Sequence, residues 1–145
     1  TGNSCRSQMA EALLRDCSRG RFEVHSAGLD PHPIHGFTYE VMDEIGIDIR
    51  GQEPTDVMEY LGRVHFGYLI TVCSHAESKC PIFPGISERL YWPVKDPAEA
   101  TGSIEERMNA FRETRNELRS RIMGWLADEG IEVENQQENT KGLNP

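Results

Sequence analysis

The sequence predicts an α/β domain, a three-layer sandwich around a mainly parallel sheet of roughly four strands. Short apolar runs rich in β-branched residues alternate along the chain with longer segments in which apolar residues recur at helical spacing. The most hydrophobic run, residues 66–72, has the length and composition of a strand buried on both faces, as in a parallel sheet. Alternation of this kind places helices on both faces of the sheet.

The first half of the chain is predicted to run helix, strand, helix and short helix. Apolar residues at helical spacing predict a helix over residues 9–17 that stops at Gly20. Alternation of apolar and polar residues predicts a short strand at 22–24. A second helix is predicted over 39–45, and Thr55 is a suitable N-cap for a third, short one.

Two strands of the second half are each followed by a chemically useful side chain. Residues 66–72 end at Cys73, and a strand over residues 90–94 ends just before Asp96. In open parallel sheets the carboxyl ends of the strands form the ligand-binding edge. The sequence therefore predicts that Cys73, Asp96 and the opening loop gather at one edge.

A long helix closes the domain. Ser103 and Glu106 form a capping box, and the apolar residues that follow line one face of a helix. The prediction is one domain over residues 1–130, followed by a polar and disordered tail over 131–145.

Composition excludes several classes of function. The formal net charge is -9, which argues against nucleic acid and against an anionic membrane as the main partner. No apolar run approaches the ~20 residues of a membrane span, and no signal peptide is visible. The four cysteines do not suggest a disulfide framework. A monomeric cytoplasmic protein is the expectation.

The opening residues read as an anion-binding loop that leads into a helix. A turn of this kind offers successive backbone N–H groups and a helix N-terminus to an oxyanion. The guanidinium of Arg6 adds a planar charged fork that suits phosphate-like groups. The candidate binding residues are Thr1, Gly2, Asn3, Ser4, Cys5, Arg6 and Ser7. Such a loop normally follows a strand, so the chain is expected to lack its natural beginning.

The segment 1–11, TGNSCRSQMAE, closely resembles the active-site loop and first helix of thioredoxin-coupled arsenate reductases, which share the low-molecular-weight tyrosine phosphatase fold. The resemblance runs in the family's order and spacing from residue 1 to about residue 128. Its other landmarks are His25-Ser26-Ala27-Gly28, Thr55-Asp56, Thr71-Val72-Cys73-Ser74, Cys80-Pro81 and Asp96-Pro97-Ala98.

One departure from the family pattern is large. The family's nucleophilic cysteine immediately precedes the threonine that matches Thr1, and the family's first strand lies inside the sheet before it. Neither is present in the sequence. Cys5 cannot replace that cysteine, because it is adjacent to Arg6 and cannot reach the base of the loop. The chain by itself is therefore expected to be inactive.

The resemblance implies a role for four residues and no tightly bound cofactor. Arg6 would clamp the oxyanion, and Asp96 would protonate the leaving oxygen. Cys73 would attack the thiol–arsenic adduct and release arsenite, and Cys80 would then attack Cys73. The resulting Cys73–Cys80 disulfide would be reduced by thioredoxin. The residues alone leave a second interpretation open, in which this pair and His75 form half of a metal site.

The same resemblance suggests a potassium ion beside the loop. Asn3, Glu11, Ser26 and Asp56 match positions that bind potassium in some family members, and all carry oxygen donors, as a hard cation requires. The alternative is a hydrogen-bond network in which Asn3 and Ser26 brace the loop.

Two other functions remain open. A low-molecular-weight protein tyrosine phosphatase would use the same loop and Asp96 on phosphate or sulfate-like oxyanions, without needing Cys73 and Cys80. Phosphatases of this fold usually place aromatic residues after the Asp-Pro pair, whereas here Ala98 and Glu99 follow. A non-catalytic oxyanion-binding remnant is the third possibility.

Overall fold

The computed structural model describes residues 2–131. Its helices are α1 (Arg6–Cys17), α2 (Gly36–Asp43), α3 (Ser74–Lys79) and α4 (Ile104–Asp128), with short 3-10 turns at Val57–Glu59 and Pro97–Glu99. Its strands are β1 (Tyr68–Thr71) and β2 (Glu88–Tyr91). The predictions for Thr1 and for the tail beyond residue 131 lie outside the described residues.

The two strands pair in parallel, which confirms the α/β class and the direction of the sheet. The register runs from Tyr68 opposite Glu88 to Thr71 opposite Tyr91. Pairing continues past the end of β2, because the Trp92 N–H donates to the Thr71 carbonyl at 2.9 Å. The strand predicted at 90–94 begins two residues earlier and ends three residues earlier than predicted.

The predicted strand at 22–24 and the sheet of roughly four strands are not found within residues 2–131. Residues 22–27 have no strand partner there, and the nearest sheet-like contact is a single parallel bridge between Gly28 and Asp56. A cavity of about 280 Å³ is bordered by residues 22–29 on one side and by β1 on the other. Ladder hydrogen bonds need strands roughly 4.8 Å apart, and two segments that border a cavity of this size are not paired across it.

The core lies where α4 packs against α1. Met9 and Leu13 of α1 are buried with Phe111, Leu118 and Ile122 of α4. Aromatic rings extend this core toward the cavity, where Trp125 of α4 lies 5.5 Å from the Phe22 ring and 5.1 Å from the Tyr68 ring. The Trp125 indole N–H is buried and has no hydrogen-bond partner within residues 2–131. None of the helices described combines the length and hydrophobicity that a bilayer crossing requires.

The capping residues explain where the helices begin. The Ser103 hydroxyl accepts from the Glu106 N–H at 3.1 Å, as predicted for α4. The turn at Val57–Glu59 is capped by Asp56 and not by Thr55. Helix α2 begins at Gly36, three residues before the predicted start, because the imidazole of His35 accepts the Phe37 N–H at 3.1 Å.

Candidate active site

The opening loop is held so that its N–H groups share one direction. The carbonyl of Gly2 accepts from the His32 N–H at 2.8 Å, and the carbonyl of Ser4 accepts from the His35 N–H at 3.1 Å. In a trans peptide the C=O and the following N–H point in opposite directions. The N–H groups of Asn3 and Cys5 therefore point away from the 32–35 segment. A Cβ at Gly2 would lie 3.0 Å from the His32 ring, so any larger residue there would need this ring to shift by a few tenths of an ångström.

Asn3 occupies the centre of the loop and is almost completely buried. Its backbone adopts a left-handed conformation with φ of 52°, which asparagine tolerates better than most residues. Its side-chain amide donates to the Ser7 hydroxyl at 2.7 Å and to the Ser26 hydroxyl at 3.0 Å. Its side-chain oxygen accepts from the Thr55 N–H and from the Gln8 side chain, both at 2.9 Å. Asn3 thus joins the loop to α1 and to two distant segments.

Arg6 and Asp96 lie side by side at the edge of the sheet. The Arg6 Nη1 donates to the Val94 carbonyl at 2.9 Å, and its Nη2 lies 3.7 Å from the Asp96 Oδ2. The other carboxylate oxygen of Asp96 accepts from the Ala98 N–H at 3.0 Å, which caps the following turn. Both side chains keep some exposure, 17% for Arg6 and 31% for Asp96. The pair can therefore contact a molecule at this edge.

Cys5 points into the core. Its side chain is 4% exposed and belongs to the same apolar cluster as Met9 and Leu13. Burial raises the pKa of this thiol, and this effect exceeds the opposing contributions of Ser4, Thr38 and Arg6. A buried thiol with a raised pKa is a poor nucleophile. This agrees with the expectation that Cys5 does not replace the family's attacking cysteine.

Cys73 and Cys80 lie at the two ends of α3. Cys73 follows β1, is 5% exposed, and accepts the Ala76 N–H on its sulfur at 3.4 Å. Cys80 is the C-cap of the same helix and is half-buried, and burial raises the pKa of its thiol. All four cysteines are free of disulfides. The segment between the two cysteines is helical.

The chain that follows β2 connects the opening loop to the segment before Cys73. Val94, whose carbonyl accepts from Arg6, donates its own N–H to the Val72 carbonyl at 3.2 Å. Val72 directly precedes Cys73. Arg6, Asp96 and Cys73 are therefore on one edge of the sheet, as the strand-end argument predicted.

The four suggested potassium ligands are engaged with one another or elsewhere. Glu11 Oε1 accepts from the Ser26 N–H at 3.0 Å and from the Ser26 hydroxyl at 3.2 Å. Asn3 presents its amide N–H to Ser26, since its oxygen is occupied by the Thr55 N–H. Asp56 accepts the Met58 N–H on Oδ1 at 2.9 Å and so caps the Val57–Glu59 turn. The arrangement favours the hydrogen-bond network over a cation. Within residues 2–131, no group of three or more His, Cys, Asp and Glu side chains is placed to hold a metal ion.

Sequence reasoning missed Gln8 and Gln52. Gln8 is fully buried and donates to the Asn3 carbonyl at 3.0 Å, while its own side-chain oxygen accepts from Gln52 at 2.8 Å. The available signal was a polar residue on the inward face of α1, one turn before the buried Ala12. A buried amide at such a position requires partners, and here it finds them in the loop.

The fold and the grouping of a glycine loop, an arginine and an aspartate at one sheet edge define an α/β protein of the phosphatase type. Residues 1–139 match the family described as low molecular weight phosphotyrosine protein phosphatase, and the chain belongs to this family.

Within that family the chain is similar to arsenate reductases. It is 38% identical over 122 residues to the arsenate reductase of Halalkalibacterium halodurans, and the match covers 84% of this chain and 87% of that protein. Its structure superposes on an arsenate reductase in the phosphate binding state with a TM-score of 0.73 and 28% identity, covering 90% of this chain and 92% of the other.

A solved phosphatase shares the fold. The tyrosine phosphatase Wzb from Escherichia coli K30, in complex with sulphate, superposes with a TM-score of 0.69 at 21% identity. The match covers 90% of this chain and 94% of that one.

Proposed function

We propose that this chain carries the oxyanion loop, the general acid and the thiol couple of an arsenate reductase. The proposal is supported by the similarity to arsenate reductases and by the position of two cysteines at the two ends of α3, neither of them in a disulfide. The single observation that carries it is this cysteine pair, whose first member directly follows Val72, the residue that accepts the N–H of Val94 beside Arg6. A phosphatase of the same fold has no use for two thiols there.

The oxyanion would bind between the loop N–H groups and the guanidinium of Arg6. Arsenate and phosphate have the same tetrahedral shape and similar charge, so both would fit the loop. Asp96 would donate a proton to the oxygen that leaves arsenic, because a departing hydroxide needs neutralisation. The first attacking thiol is expected at the position before Thr1, which lies outside the sequence.

Reduction of arsenate to arsenite needs two electrons, and two thiols supply them. The first thiol bonds to arsenic and displaces an oxygen as water. The Cys73 thiolate then attacks that sulfur, the sulfur–arsenic bond breaks, and arsenic leaves as arsenite with the bonding electron pair. Cys80 attacks Cys73 and expels the first thiolate, which leaves the Cys73–Cys80 disulfide.

Thioredoxin is the proposed reductant of this disulfide. Its two thiols would exchange with Cys73–Cys80 and become oxidised in turn, which closes the electron balance. The proposed compartment is the cytoplasm, where thiols are kept reduced, and the proposed unit is the monomer. No potassium ion is included, because the oxygen of Asn3 is already engaged by two N–H donors.

The test uses the chain preceded by a first strand and a cysteine, as in arsenate reductases. Arsenate-dependent oxidation of NADPH, coupled through thioredoxin and thioredoxin reductase, is measured for Cys73→Ser and Cys80→Ser. Both variants should lose arsenate turnover, whereas Cys17→Ser, a matched control on α1, should keep it. Hydrolysis of p-nitrophenyl phosphate should persist in all three. Sustained arsenate turnover by Cys73→Ser would contradict the proposal.

Phosphate-ester hydrolysis is the second candidate, because the Arg6–Asp96 edge suits that reaction too. The turn after Asp96 offers no ring to stack on a phosphotyrosine of a protein substrate, since the exposed residues there are Ala98 and Glu99. The same assay distinguishes the two functions. A phosphatase would hydrolyse the ester without arsenate turnover in the unsubstituted protein.

A further inference from the structure

A cluster of three side chains attaches α3 to the sheet, and none of them belongs to the site described above. Glu77 projects from α3, Thr71 from β1 and Arg89 from β2. The Thr71 hydroxyl donates to the Glu77 carboxylate, which also lies 3.6 Å from Arg89 Nη2. The same Arg89 nitrogen donates to the main-chain carbonyl of Glu77 at 3.1 Å. Arg89 therefore binds the last turn of α3 through its backbone as well as through a side chain.

This contact lies three residues before Cys80. The Cys80 N–H donates to the Ala76 carbonyl at 2.8 Å, so the thiol is fixed to the turn that Arg89 holds. Two charged groups act on Cys80 in opposite senses. Burial raises the pKa of the thiol, Arg89 lowers it, and Glu77 raises it. The guanidinium favours the thiolate, and the carboxylate disfavours it.

We propose that Arg89 is a positioning residue for the resolving thiol: its guanidinium holds the end of α3, and with it Cys80, through the Glu77 carbonyl. From that position the guanidinium also favours the thiolate form of Cys80, and the Glu77 carboxylate opposes it. This inference rests on the proposed role of Cys80 as resolving thiol. It adds that the nucleophilicity of Cys80 depends on two opposing charges, that of Arg89 on β2 and that of Glu77 on α3. When α3 unwinds, the Glu77 carboxylate departs with it, whereas Arg89 stays on the strand.

The experiment measures the ionisation of Cys80 directly. The full reduced chain reacts with iodoacetamide between pH 6 and pH 10, and the alkylation rate of Cys80 is read by peptide mass spectrometry. Arg89→Gln should slow alkylation about threefold at pH 7.5, as expected for loss of one nearby charge. Glu77→Gln should accelerate it by a similar factor, and Arg89→Lys should stay near the unsubstituted rate. Lys95→Gln and Glu88→Gln are matched charge controls near the same strand.

The opposite signs separate this role from a merely structural one. Loss of either partner loosens α3, so a structural role predicts faster alkylation in both variants. A shift of the two pH profiles in the same direction would overturn the proposal, as would an Arg89→Lys profile equal to that of Arg89→Gln. No arsenate is used. Failure of the reductase function would appear in the arsenate assay alone, and failure of this inference in the alkylation profiles alone.

Discussion

Arg6 contacts Asp96 across a distance longer than a hydrogen bond, with 3.7 Å between Nη2 and Oδ2. The guanidinium is held by the Val94 carbonyl at 2.9 Å instead. A bidentate pair would have consumed the fork of donors that an oxyanion needs. The geometry leaves the arginine available, next to the carboxylate that the proposed reaction uses as its acid.

Substitutions of this pair should change phosphate binding in opposite directions. Arg6→Lys should weaken binding by about tenfold, because lysine cannot offer a planar fork. Asp96→Asn should tighten it by about fivefold, since a negative charge beside the anion is removed. Isothermal titration of the chain with phosphate measures both, with the exposed Asp16→Asn as a charge control. Weaker binding by Asp96→Asn would contradict this account.

The loop should depend on Asn3 for its stability. Asn3→Ala removes four side-chain hydrogen bonds at a buried site, and a loss of about 3 kcal/mol in the free energy of unfolding is expected. Asn3→Gly should recover about 1 kcal/mol of this, because glycine adopts the left-handed backbone without strain. Urea unfolding measures both variants. Equal losses would show that the backbone conformation at position 3 contributes nothing.

The residues that meet at one edge of the sheet were easier to predict from the sequence than the strands that form the sheet. The convergence of Arg6, Cys73 and Asp96 follows from a general rule about the carboxyl ends of parallel strands, which needs only the strand positions. The prediction of a strand at 22–24 was wrong because strand pairing depends on a neighbouring strand, and these residues border a cavity instead. Local alternation carries no information about that neighbour.

Buried polar partners were equally hidden from the sequence. Asn3 was recognised as a loop residue, but its partners Gln8 and Thr55 became apparent only when the chain was folded. The early start of α2 was missed for a similar reason, since histidine is not a usual N-cap. Its ring accepts the Phe37 N–H in this structure.

The His35 cap predicts a pH-dependent stability. Burial, assisted by the charge of Arg107, lowers the pKa of His35 below its ordinary 6.5. The folded state therefore prefers the neutral ring, whose Nδ1 can accept from Phe37. The stabilisation is complete above the unfolded pKa and is lost as the pH falls through the lower pKa of the folded state.

His35→Asn tests this cap, because asparagine accepts the same N–H at every pH. When the pH is lowered from 7.5 to 5, the free energy of unfolding of the variant should rise by about 1 kcal/mol relative to that of the unsubstituted chain. Urea unfolding at the two pH values gives the difference, with the exposed His75→Asn as a control. If the variant and the unsubstituted chain differ in free energy of unfolding by the same amount at both pH values, a titrating cap is excluded.

The helix between the two cysteines predicts a conformational change on oxidation. Seven residues of ideal helix span about 10.5 Å, whereas a disulfide requires Cα atoms within about 7 Å. Helix α3 extends over Ser74–Lys79 in the state without a disulfide between the two cysteines. Its amide protons should therefore exchange faster after diamide oxidises the pair, a reaction in which the two thiols reduce the diazene to a hydrazine. The six-residue helix has no buried side chain of its own, so its unwinding should cost little.

Hydrogen exchange followed by mass spectrometry gives the rates for residues 74–80, and Cys80→Ser treated with diamide is the control. A disulfide formed without faster exchange in this segment would mean that the cysteines reach each other by a movement of β1 or of the loop after α3, and the helix would then not gate the reaction.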